Sequence, residues 1–170
     1  MVFDPELLDL LEALDETTFD GVVWRHMFND YNPTRSNTRG ARWNPPDIAA
    51  IYTSLSRDIA IAEADYALAS QPLRPRATRQ LYKVRVTLAA VVDMTDRTLL
   101  TTAGVGDEQL ASPNHVPCQT VGGAAHWLGY DGLLVPSARA PGNNLVVFTD
   151  RMDVDAVFDI LAREDLAAER

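Results

Sequence analysis

A glutamate stands in this chain where a carboxylate has no structural reason to be. Residues 57–70 are rich in helix formers, and Ser56 is placed to cap them with its hydroxyl. Leu55, Ile59, Ala62, Tyr66 and Ala69 fall at helical spacing on one side, while Arg57, Asp58 and Asp65 lie towards the other. Glu63 is four residues after Ile59 and three before Tyr66, so it points with the apolar set. An unpaired buried carboxylate is costly. Glu63 therefore borders a cleft or meets a cation, and an ion pair at the stripe's edge is the plain alternative.

Cations and aromatic rings are close at hand in sequence. Residues 25–42 hold Arg25, Arg35, Arg39 and Arg42 against one acid, Asp30. Trp43 ends the same loop, Tyr52 follows in a short apolar run, and Ser137, Arg139 and Asn144 flank a second polar loop. Each also has a plain structural use. Arg25 inside a strand can be a salt-bridge partner, even of Glu63 itself. Trp43, followed by Asn44 and two prolines, suits a packed loop anchor. Tyr52 in an apolar strand suits the core, with its hydroxyl bonded at the edge. Ser137 can start a turn. Arg139 either binds substrate or closes its loop against an acid. Arg35 and Arg39 suit solvated loop positions.

The elements that must position these groups read as α+β. Asp4 and Pro5 signal a helix through about residue 14. Residues 21–27 read as a strand carrying Arg25, residues 29–47 as a polar loop and residues 49–53 as a short strand before the Glu63 helix. Residues 71–79 read as a linker. Leu81, Lys83, Arg85 and Thr87 alternate with Tyr82, Val84, Val86 and Leu88, which suits a strand with one solvated face. Ala90–Met94 continues or bends it, and residues 95–117 read as irregular with one short helix. A helix over residues 120–128, short strands at 133–135 and 145–148, and an amphipathic closing helix over 153–163 complete the expectation, the last with Val154, Val157, Phe158 and Leu161 inward.

Totals set limits. The 170 residues suit one domain, spanning 1–170. With 46% hydrophobic and 23% charged residues, the composition is that of a globular protein. No apolar run approaches the roughly 20 residues of a membrane span, and the acidic N-terminus does not read as a signal peptide. The single Cys118 excludes an internal disulfide and fits a small buried hydrophobe in a reducing cytoplasm. A net charge of −9 disfavours direct nucleic-acid binding, so the basic stretch suits a small anionic ligand. His26, His115 and His126 lack metal-ligand spacing, and no metal is expected.

The ordered pieces WR (24–25), GARWNPP (40–46), IYTS (51–54), the AEAD segment with Glu63, DGLLVPSAR (131–139) and NNLVVF (143–148) together resemble the RES domain family, toxins of bacterial toxin–antitoxin pairs. The resemblance implies an ADP-ribosyltransferase-like fold, a split, strongly bent mixed β-sheet with flanking helices around an NAD-binding cleft. It implies that NAD+ is consumed as a substrate, not held as a cofactor, with nicotinamide released by hydrolysis or phosphorolysis. Such a cleavage passes through an oxocarbenium-like state. Nicotinamide leaves as a neutral amine, so one stabilising carboxylate can suffice. The resemblance gives that role to Glu63, with Arg42 and Ser137 beside it as catalytic residues. NAD+ contacts would come from Arg25 and Arg42 on phosphate, Tyr52 and Trp43 on the nicotinamide ring, Ser137 on ribose or amide, and Asn144. The implied partner is a cognate antitoxin of helix-turn-helix type that carries the DNA binding, with a homodimer within the complex left open. Two alternatives stand beside this reading: a mono-ADP-ribosyltransferase acting on a protein, and an inactive NAD- or antitoxin-binding module.

Overall fold

A computed structural model describes residues 2–71 and 76–167. Residues 72–75 of the linker expected over 71–79 thus lie outside the described residues, and Arg79 already opens a strand. The chain runs α1 (Pro5–Glu12), β1 (Thr17–Phe28), β2 (Ala50–Ser54), α2 (Arg57–Ala69), β3 (Arg79–Asp93), α3 (Arg97–Thr102), α4 (Asp107–Ala111), α5 (Val116–Trp127), β4 (Gly132–Pro136), β5 (Asn143–Phe148) and β6 (Val157–Leu166). No helix among the described residues is long and apolar enough to cross a membrane.

The sheet closes on itself, which corrects the split sheet expected from sequence. β1 pairs antiparallel with nearly all of β3, β3 pairs parallel with β4, β4 antiparallel with β5, β5 with β2, and β2 returns to β1. Strand length makes this possible. One edge of the 15-residue β3 carries β1, while the other edge takes β6 along residues 79–87 and β4 along 91–93. A twisted sheet with such an offset curls into a ring. The return is slender, resting on the single pair Trp24↔Ser54. Beyond that pair β1 and β2 diverge, and the seam between them opens.

Period-two alternation sorts the side chains into two cores. Val23, Ile51, Val84, Val86, Leu88, Val91, Leu145 and Val147 pack together inside the ring. Their sequence neighbours Ala50, Val92, Leu133, Val135, Val146 and Phe148 face the helices, meeting Leu7 and Leu11 of α1 and Val121, Ala124 and Ala125 of α5. The parallel β3–β4 pair requires a crossover, and α3, α4 and α5 provide it. Residues 95–117 therefore hold two short helices where one was expected. Buried Asp131 ends the crossover by accepting from the backbone N–H groups of Ala89 and Ala90 (3.0 and 3.1 Å).

The closing helix expected over 153–163 is instead a turn followed by β6, antiparallel to β3. Val154 is fully exposed and Leu161 is 53% exposed, while Phe158 packs against the core inside the ring, so the four residues do not share one buried face. Without β6, the edge of β3 would leave a row of unpaired backbone groups. The long-range ladder outweighs a helical period that counts only local spacing.

Candidate functional site

The site forms where the seam opens. A cavity of about 210 Å³ is lined by Trp24, Arg25, His26 and Phe28 of β1, Tyr52, Thr53 and Ser54 of β2, Ala60, Glu63, Ala64 and Ala67 of α2, and Asn144 of β5. The capping reading of α2 holds, because Ser56 accepts from the Ile59 N–H at 3.2 Å. Ala60, Ala64 and Ala67 let the helix lie close over the cavity. The next stripe round the helix, Ile59, Glu63 and Tyr66, meets the β4–β5 loop. Gly142 of that loop sits against Ile59, where a Cβ would lie 2.4 Å from Cδ1, and its φ of +126° suits glycine. Ser137 meets Glu63 and Arg139 covers Tyr66. Glu63 therefore stands between cavity and loop, and Tyr66, expected on the apolar face, stays 43% exposed.

A chain of hydrogen bonds fixes the carboxylate. Ser137 Oγ donates to Glu63 Oε1 at 2.6 Å, and Asn144 Nδ2 donates to the same oxygen at 2.9 Å. Ser54 Oγ donates to Asn144 Oδ1 at 2.8 Å, which orients the amide with its NH2 towards Glu63. Ser137 Oγ also accepts from the N–H groups of Arg139 and Ala140, so the turn expected of this serine and its contact with Glu63 coexist. Both partners of Glu63 are neutral. Among the described residues no cation lies within ion-pairing distance of it. Ser54 was not singled out from sequence. Its signal is weak but present, since it follows Tyr52 by two residues on one strand and closes the IYTS run.

Arg25 does not pair with Glu63, although both line the cavity. Its Nη1 donates to the Tyr52 carbonyl (3.0 Å), its Nη2 to the Arg35 carbonyl (2.9 Å), and its Nε has no partner. Only 8% exposed, it has a pKa lowered by burial to about 10, which leaves it a cation at neutral pH. Next to it, His26 is held down to about 4 by burial and by the neighbouring Arg79, with Asp65 opposing, so its ring is neutral at pH 7.

The residues of the 40–48 loop take a different position. Trp43 is 2% exposed and belongs to the helix-side core. Arg42 Nη1 donates to the carbonyls of Leu110 and Ser112 at the end of α4 (2.5 and 3.1 Å). Tyr52 Oη donates to Asn44 Oδ1 (2.6 Å) and accepts the Trp43 N–H (2.9 Å). Burial pushes this phenol well above its usual pKa. The Tyr52 hydroxyl therefore pins the loop. Tyr52→Phe is expected to cost about 2 kcal/mol, because it strands the buried Asn44 and an N–H. Equilibrium urea unfolding measures this, and a loss under about 0.5 kcal/mol would show that the loop does not depend on the hydroxyl. Arg35 and Arg39 line a separate pocket with Tyr31, Ser36, Asn37 and Thr38. No group of three or more potential metal ligands occurs among the described residues.

The cavity thus carries a buried cation, Arg25, and a carboxylate, Glu63, that is held by neutral donors and has no ion-pair partner among the described residues. The RES domain model matches residues 22–168, and the chain belongs to the RES domain family. It is 30% identical over 117 residues to the NAD(+) phosphorylase MbcT of Mycobacterium tuberculosis (strain H37Rv) and to that of Mycobacterium bovis. The match takes in 66% of this chain and 63% of each relative, so it spans less than two thirds of their length. A chain of the crystal structure of the M. tuberculosis MbcT-MbcA toxin-antitoxin complex superposes with a TM-score of 0.86 at 26% identity, covering 96% of this chain and 93% of that one.

Proposed function

We propose that this protein is a toxin of a toxin–antitoxin pair that degrades NAD+ by cleaving the nicotinamide–ribose bond, by hydrolysis or phosphorolysis. The observation that carries the reading is the Glu63 carboxylate, fixed by Ser137 and Asn144 and left without a cation. Full negative charge is thus available to a ribosyl cation as it develops, in a site whose donors need no reorganisation. Glu63 is the catalytic residue, and Ser137 and Asn144 aim it. The buried Arg25 of β1 supplies a positive wall for the pyrophosphate, while Arg42 is held by the carbonyls at the end of α4 and does not line this cavity. The Tyr52 ring, which lines the cavity, backs the nicotinamide end, while Trp43 stays in the helix-side core behind it. This division of labour is that of an ADP-ribosyltransferase-like cleft. The likeness to a chain of the MbcT-MbcA toxin-antitoxin complex supports an antitoxin partner; the family resemblance makes that partner one of helix-turn-helix type that carries the DNA binding, in keeping with this chain's net charge of −9, and has NAD+ met in the cytoplasm.

The test incubates purified protein with NAD+, with and without phosphate, and separates nicotinamide, ADP-ribose and ADP-ribose phosphate by chromatography. Loss of NAD+ with stoichiometric nicotinamide is expected. No loss under any condition would sink the reading, and loss only after addition of cell extract would transfer it to a mono-ADP-ribosyltransferase with a protein acceptor.

A further inference from the structure

The Glu63 cavity is too small for a whole dinucleotide. At about 210 Å³ it falls below the roughly 300–1,000 Å³ of pockets that enclose drug-sized ligands, and a dinucleotide is larger still. A second cavity of about 320 Å³ opens beside it. His26 and Phe28 of β1 line both, so the two spaces share a wall. On both neighbouring elements the lining advances towards the C-terminal end. Along the chain of β1 it moves from Trp24 and Arg25 to Phe28, Asn29 and Tyr31, and along α2 from Glu63 to Leu68. Arg25 to Phe28 is about 10 Å of strand, and Glu63 to Leu68 is about 7.5 Å of helix. That offset is comparable to the reach of a pyrophosphate bridge, and it leads away from Glu63 past the buried Arg25.

The second cavity suits a flat, largely apolar group. Met27, Phe28, Tyr31 and Leu68 give it apolar and aromatic walls. The His26 and Phe28 rings meet edge-on, their centres 4.7 Å apart. Arg79 Nε–H donates to His26 Nε2 at 3.0 Å, and Arg79 is itself tied to Asp65 of α2 at 2.6 Å, so the shared wall is fixed from behind. Beyond Phe28 the backbone is strained. Asn29 and Asp30 take φ values of 53° and 57°, which residues other than glycine rarely adopt. Their turn brings the Tyr31 N–H onto the Phe28 carbonyl (3.1 Å) and the Tyr31 side chain to the cavity. It is held by Asn29 N–H on the Thr78 carbonyl (2.9 Å) and Asp30 N–H on Gln80 Oε1 (2.8 Å). Tyr31 stays exposed and belongs to neither core, so folding gains no core packing from the ring that this turn presents.

We infer that the cavity beyond His26 and Phe28 holds the adenosine half of NAD+, with the base against Phe28, Tyr31 and Leu68, and so selects a dinucleotide over nicotinamide mononucleotide. The inference rests on the NAD+-cleaving reading above. A purine offers two apolar faces and stacks on aromatic side chains. The substrate then lies in one order: nicotinamide ribose at Glu63, pyrophosphate at Arg25, and adenosine beyond the shared wall. Binding of that remote half holds the reacting end in place, so its loss costs turnover as well as affinity.

The experiment measures nicotinamide release from NAD+ and from nicotinamide mononucleotide, in phosphate buffer, by wild type, Leu68→Trp and Tyr31→Ala. Wild type is expected to show a kcat/KM at least about 100-fold higher on NAD+. Leu68→Trp fills the cavity and Tyr31→Ala removes one ring. Each should raise the KM for NAD+ roughly tenfold or more while moving the KM for nicotinamide mononucleotide far less. AMP should compete with NAD+ on wild type, and calorimetry should find it bound at least about tenfold more weakly by Leu68→Trp. Thermal unfolding checks the folding of each variant, and Tyr31→Ala carries the test if the tryptophan is not accommodated. Equal kcat/KM of wild type on the two substrates would overturn the inference and leave NAD+ cleavage standing. A KM for NAD+ unchanged in both variants would also overturn it, as would equal rises for both substrates, which would mark a structural effect. Cleavage of neither substrate by wild type would remove the underlying reading, and AMP binding unaltered by Leu68→Trp would then overturn the assignment of the cavity itself.

Discussion

Glu63→Gln is expected to lower kcat for NAD+ consumption by at least about 100-fold, the scale of losing a preorganised charge at a developing transition state. The folded protein should hardly notice. The amide oxygen can still accept from Ser137 Oγ and Asn144 Nδ2, so both hydrogen bonds of the cradle survive. The melting temperature should move by less than about 4 °C, corresponding to about 1 kcal/mol for a domain of this size. Glu63→Ala separates the two contributions, since it leaves two donors without an acceptor and should cost stability as well as turnover. Steady-state kinetics and thermal unfolding on the same samples decide the matter. A Gln variant with kcat within threefold of wild type would remove Glu63 from catalysis and leave it a structural residue.

Gly122→Ala should destabilise the protein by at least about 3 kcal/mol, roughly 6–12 °C in melting temperature, or prevent folding. Helix propensity alone points the other way. Gly122 is inside α5, where alanine is ordinarily the better residue by about 1 kcal/mol. Packing wins because a Cβ at this position would lie 1.7 Å from the Trp43 carbonyl oxygen, a backbone atom that cannot rotate away. The approach is close because the 40–48 loop is held from both sides, with Trp43 in the core and Tyr52 bonded to Trp43 and Asn44. Gly123→Ala is the control. Its Cβ would meet only side-chain atoms of Phe3 and Pro45 at 3.2 Å, so a smaller loss is expected. Equal stability of Gly122→Ala and wild type would mean that the loop does not rest on α5.

These two glycines illustrate why part of the molecule was not legible in the sequence. Gly122 and Gly123 argue weakly against a helix when read locally, yet α5 forms around them because the loop requires the space. The 153–163 segment shows the opposite error. Its apolar spacing suggests a helix, and only the free edge of β3 makes it a strand. Ring closure was equally hidden, since the one pair joining β1 to β2, Trp24↔Ser54, links residues thirty positions apart with no local mark.

The sequence by itself determined the short-range facts. Capping by Ser56, the alternation of β3 and the α+β order follow from local geometry that nearby residues dictate. The ordered motifs from Trp24 to Phe148 were enough to identify the RES domain family. Glu63 was visible because a carboxylate on an apolar stripe breaks a local rule. What surrounds that carboxylate was decided by tertiary structure alone. Arg25, the cation offered by the sequence as a partner for Glu63, binds two backbone carbonyls instead. The carboxylate is held by Ser137, seventy-four residues away, and by Asn144, oriented in turn by Ser54. The physical reason is that a hydrogen-bond partner is chosen by distances of about 3 Å, and those distances exist only after the ring has closed and the β4–β5 loop has settled on α2.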